Sequence, residues 1–132
     1  MTGETISAED LADLLRSPDA GAVVTFSGEV RDHDQGRAVR ALTYEAHPTA
    51  QQVLEQVAQE VLSRHAVLAI AITHRVGDLT VGDCALAVAV SAAHRGAAFA
   101  ACLDLVDITK ARLPVWKHQI FADGSEEWVN CA

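Results

Sequence analysis

Lysine is almost absent from this chain. Of its ten basic side chains eight are arginine, and the only two lysines, Lys110 and Lys117, stand together in TKARLPVWKH at positions 109 to 118. Positive charge is scarce as a whole: 10 Lys and Arg face 18 Asp and Glu, a formal net charge of −8, which argues against nucleic acid as a partner. Cysteine is scarce and odd in number. Cys84, Cys102 and Cys131 form no C-x-x-C pair, which excludes a disulfide framework or a zinc knuckle. No apolar run is long enough to span a bilayer. The opening MTGETISAEDLADLL is acidic where a secretory signal is basic and apolar, so the expected location is the cytoplasm. G-x-S-x-G, P-loop and G-x-G-x-x-G signals are missing, which removes the commonest hydrolase and nucleotide-binding readings. Also missing are H-x-H and H-E-x-x-H. His33 between Asp32 and Asp34 is one loop's worth of ligands, and no metal site is expected.

What is present organises as one domain over residues 1–132, with no repeat, linker or low-complexity tract. Ser7 followed by Asp10 opens a short helix that ends near Pro18. GAVVTFSGEVR (21 to 31) alternates as a strand, with Val24, Phe26 and Val30 on one side. DHDQGR (32 to 37) is a polar turn, and AVRALTYEA (38 to 46) a second strand able to pair with the first as a hairpin. Pro48 suits a first helical turn, and Val53, Val57 and Val61 carry helical spacing through 49 to 65. VLAIAITHRV and CALAVAVS are nearly continuous apolar strands joined by GDLTVGD, read as a loop. A helix over 94 to 112 stops before Pro114, and VWKHQIF and EEWVN close the chain as a hairpin. The fold class is α+β, a mainly antiparallel sheet with helices packed on it.

Three stretches can carry chemistry. The first is the lysine pair. Arginine stays protonated, whereas a lysine amine can lose its proton when partly buried and can attack or protonate a carbonyl group. Lys110 falls in a last helical turn, where the dipole alone favours a cation by roughly 0.3 to 1 kcal/mol. In an extended segment Lys117 shares its side with Val115 and Gln119, opposite Trp116 and His118. The second is SAAHRG (91 to 96), where His94 and Arg95 open a helix; free N–H groups and an arginine there can grip an anion. The simpler reading is a Ser cap with two solvent-facing neighbours. The third is GEVRDHDQG (28 to 36), where Arg31 ends a strand beside a loop, a common place for binding side chains. Cys84 and Cys102 read as small core residues.

Together, GAVVTFSGEVRDH, ALTYEAHP, ITHRVGDLTVGD, SAAHRGAAFAACLDLVDITKARLPVWK and EEW, in this order from about residue 21 to 128, resemble the MoaE family, the catalytic subunit of molybdopterin synthase. The resemblance implies an α/β-hammerhead-type subdomain, no cofactor, and sulfur transfer in molybdenum cofactor biosynthesis. The sulfur donor it implies is the C-terminal Gly-Gly thiocarboxylate of a small ubiquitin-like subunit. The acceptor is cyclic pyranopterin monophosphate, converted to the dithiolene of molybdopterin, within a heterotetramer built on a homodimer. Carried over residue by residue, Lys110 and Lys117 are catalytic, and Arg31, His94 and Arg95 bind substrate. A non-catalytic homologue that binds the small partner or a pterin is the alternative. Two positions depart from the family: Glu29 stands where relatives often have a cation, and Gln119 where an acidic residue commonly follows Trp-Lys.

Overall fold

The computed structural model describes residues 1–130; Cys131 lies outside the described residues. In chain order the elements are α1 (Ala8–Leu15), β1 (Ala22–Glu29), β2 (His33–Asp34), β3 (Arg37–Ala46), α2 (Ala50–Arg64), β4 (Ala69–His74), β5 (Gly77–Thr80), β6 (Cys84–Ala92), α3 (Arg95–Arg112), β7 (Val115–Phe121) and β8 (Glu126–Asn130). The strands form two antiparallel sheets: β1-β6-β4, and β2-β3-β7-β8 with β5 on β3.

The centre of the first sheet is β6, and its composition dictates what packs where. Leu86, Val88 and Val90 point to one face and, with Val57 and Val61 of α2 and Ala101, Cys102, Leu105 and Val106 of α3, make the main core. Ala87 and Ala89 alternate onto the other face, where methyl-sized side chains let α1 lie close against the sheet. Nearly all of β6 is buried, as its unbroken apolar run requires. Helix α1 starts as expected: the Ser7 hydroxyl accepts from the Asp10 N–H at 3.4 Å. Helices α2 and α3 are clasped on their solvent side by Arg112 to Glu60 at 2.6 Å and by His65 to Asp104 at 2.9 Å.

Two sequence expectations are overturned. The first two long strands do not pair with each other: β1 pairs with β6 in one sheet, and β3 pairs with β5 and β7 in the other. A strand buried on both faces needs a neighbour on each edge, and β1 is taken for that purpose. The switch is made by a bulge between Gly28 and Glu29. Val24 and Phe26 thereby face the helices, while Val30 enters a second core with Leu42, Leu79 and Ala85. GDLTVGD is not simply a loop either. It contains β5, whose Leu79 is buried opposite Leu42 of β3. The polar turn after Arg31 holds the two-residue β2, reversed through Gln35 and Gly36, both at positive φ (51° and 77°), where glycine carries no Cβ penalty.

A candidate active site between the two sheets

The second sheet brings the scattered candidates together. Along β7, Val115 and Gln119 are buried and Lys117 lies on their side, two residues from Gln119 and therefore about 6.7 Å along the strand. In register across β3, Lys117 stands opposite Tyr44 and Gln119 opposite Leu42. Lys110 comes to the same place from the last turn of α3. That helix ends because Leu113 turns extended ahead of Pro114, which delivers the chain directly into β7. Arg31, just past β1, closes the third side. Lys110, Lys117 and Arg31 thus line one polar cleft of about 160 Å³, with Tyr44 and Gln119 also in its wall.

Carboxylates are present too. Asp34 of β2 lines the cleft with its Oδ1 3.7 Å from the Arg31 guanidinium and its Oδ2 accepting from the Gln119 Nε2 at 2.7 Å. The Gln119 hydrogen bond, together with the nearby charges of Lys117 and Arg31, holds the Asp34 carboxyl below the usual carboxylate range. Glu29 also lines the cleft and accepts from the Ser27 hydroxyl at 3.0 Å. The Asp32 carboxylate turns away to the His33 ring at 2.7 Å.

Beneath Tyr44 lies His74, 1% exposed, with its ring edge-on to the tyrosine at a centroid distance of 4.9 Å. Its Nδ1 is 2.7 Å from the Arg75 carbonyl oxygen, which can only accept, so Nδ1 carries the proton. Burial, reinforced by the charge of Lys110, lowers the His74 pKa from 6.5 to about 4. His74 is therefore a neutral imidazole beneath the cleft.

His94 and Arg95 are elsewhere. They open α3 at its exposed N-terminus, and Lys110 is about 22 Å further along the axis at 1.5 Å per residue. Neither lines the cleft of its own chain. The cap of α3 is His94 itself, without a side-chain hydrogen bond to the helix, and not Ser91, which is buried inside β6. Sequence reasoning missed Tyr44 and His74, and it read Asp34 only as part of a metal-like tract. The alternation that put Lys117 beside Gln119 was the available clue to a wall of polar side chains. Among the described residues no group of three or more His, Cys, Asp or Glu could hold a metal ion. No helix of the described residues is long and apolar enough to cross a membrane.

Two amines and a guanidinium line one polar cleft of an acidic α+β protein, an arrangement chemically able to hold an anion and to polarise a carbonyl group. The chain belongs to the MoaE family, whose profile, described as MoaE protein, matches residues 1–112. Molybdopterin synthase catalytic subunits from Thermoplasma volcanium and Aspergillus niger are 37% and 38% identical to it, over 97% and 86% of this chain respectively. It spans 94% of the Thermoplasma protein and 64% of the Aspergillus one. The crystal structure of molybdopterin synthase from Staphylococcus aureus superposes with a TM-score of 0.89 at 33% identity, covering 96% of this chain and 93% of that one.

Proposed function

We propose that this chain is the catalytic subunit of a molybdopterin synthase. It takes sulfur from the C-terminal thiocarboxylate of a small ubiquitin-like subunit and delivers it to cyclic pyranopterin monophosphate, forming the molybdopterin dithiolene. The observation that carries the reading is the meeting of Lys110, Lys117 and Arg31, from three separate elements, in one cleft of a protein with net charge −8.

The division of labour follows from the chemistry of each group. Lys110 acts beside the partner's terminal glycine, where an ammonium polarises the acyl oxygen and an amine can trap the acyl group. Lys117 serves the pterin as acid or base. Arg31, at the exposed rim, pairs with the phosphate through its planar fork. His94 and Arg95 bind the same substrate from a second copy of the chain, because their own helix holds them too far from the cleft of their own chain. That requirement agrees with a homodimer carrying one small subunit per protomer, a heterotetramer, in the cytoplasm. Residues 1–132 act as one catalytic-subunit domain in this reading.

The test replaces Lys110 and Lys117 separately by Ala and measures dithiolene formation with thiocarboxylated partner. Each loss is expected to slow turnover by about 10²- to 10⁴-fold. Unchanged turnover in both variants would leave a non-catalytic homologue as the surviving reading.

A further inference from the structure

Gln119 has a partner across the cleft in Asp34. A glutamine that is 2% exposed must have its amide hydrogen-bonded, and an ionised carboxylate can only accept, so the Gln119 NH₂ is the group that faces Asp34. That bond, at 2.7 Å, ties the β2 hairpin to β7 two residues from Lys117. The same carboxylate reaches Arg31 at 3.7 Å with its other oxygen. The groups gathered around Lys117 in the cleft are Glu29 at the end of β1 and Arg31 just past it, His33 and Asp34 on β2, Tyr44 on β3 and Lys110 on α3; outside the cleft wall, half-buried Glu127 of β8 stands in register with Gln119 on the same face of the sheet. The carboxylates in the cleft wall are Glu29 and Asp34, and of these two Asp34 is the one whose side chain is bonded to the strand that carries Lys117.

We infer that Asp34 is a positioning residue for the sulfur-transfer reaction. Held by Gln119, it supplies the negative charge that steadies the Lys117 ammonium and orients Arg31. The carboxylate stands on the facing hairpin, and the Gln119 amide on β7 is its anchor. Asp34 and Lys117 line the same cleft, and the Asp34 carboxyl, lowered chiefly by the Gln119 hydrogen bond, is lowered in part by the charge of Lys117. This assignment rests on the synthase reading for its function, though not for its measurement.

The two lysines make that measurement simple, because protein labelled with [¹³Cε]lysine gives two side-chain signals, assigned with Lys110→Arg and Lys117→Arg. In Asp34→Asn, which removes the opposite charge, the midpoint of the Lys117 titration is expected to fall, with a smaller change at Lys110. Gln119→Leu, which removes the amide that anchors Asp34, is expected to lower it as well, by less than Asp34→Asn does. The exchanged pair Asp34→Asn/Gln119→Glu returns the midpoint toward the wild-type value and recovers turnover that Asp34→Asn loses by about tenfold. A Lys117 midpoint indifferent to both single changes, or an exchanged pair no better than Asp34→Asn, overturns the inference. The titration needs neither partner nor pterin. A wild-type chain without synthase activity would therefore defeat the functional reading separately.

Discussion

Histidine 74 makes the site's dependence on burial measurable. The folded protein holds this imidazole neutral with a pKa of about 4 against an ordinary 6.5, chiefly because burial excludes the charged form. The unfolded chain, in contrast, binds a proton as soon as the pH falls below about 6.5. The neutral state's contribution to stability is therefore complete above pH 6.5 and is lost as the pH falls toward 4. At about 1.4 kcal/mol per pH unit, the loss comes to about 2 kcal/mol by pH 5 and about 3 kcal/mol by pH 4. In His74→Gln the side chain remains neutral and still presents an N–H to the Arg75 carbonyl. Urea denaturation followed by the fluorescence of Trp116 and Trp128 gives the stability of both proteins at pH 7 and pH 5. Wild type is expected to be the more stable at pH 7, and its lead to shrink by about 2 kcal/mol at pH 5. Subtracting the variant removes the carboxylates common to both proteins, including Asp34 and Asp83, which also lose favourable interactions in acid. A gap of the same size at the two pH values would refute the claim that His74 is neutral in the fold. The consequence for chemistry is direct: a protonated His74 would add a fourth cation, beneath the cleft that already holds Lys110, Lys117 and Arg31.

Other consequences can be checked alongside it. Leu105, fully buried in the core shared by α2, α3 and β6, should cost about 2 to 5 kcal/mol when truncated to Ala, read by urea denaturation. Ala89→Leu on the alanine face of β6 should cost about 1 to 3 kcal/mol by forcing α1 away, seen as a lowered Tm while α2 and α3 keep their packing. Arg31→Lys retains the charge and loses the planar fork, so KM for the pterin should rise about tenfold with a smaller change in kcat.

Much of the local architecture could be read from residue order. The Ser7 cap, the α2 periodicity at Val53, Val57 and Val61, the stop at Pro114 and the closing hairpin are all set by neighbours within a few positions. The same holds for the side of β7 on which Lys117 lies. Strand partners were another matter. Nothing near β1 announces that it will pair with β6, some sixty residues later, in preference to β3. The choice depends on which edge best covers an apolar strand buried on both faces. β5 was read as a loop because four residues with one buried leucine carry no period of their own.

The lysine pair and the arginine were conspicuous by composition and resemblance alone, since residue type and spacing survive without coordinates. Their meeting in one cleft was decided by the tertiary structure, through the end of α3, the register of β3 on β7 and the bulge after Gly28. So were the partnership of Asp34 with Gln119 and the neutrality of His74. A carboxylate's partner and an imidazole's proton depend on distance and dielectric, and those quantities exist only once distant segments have packed.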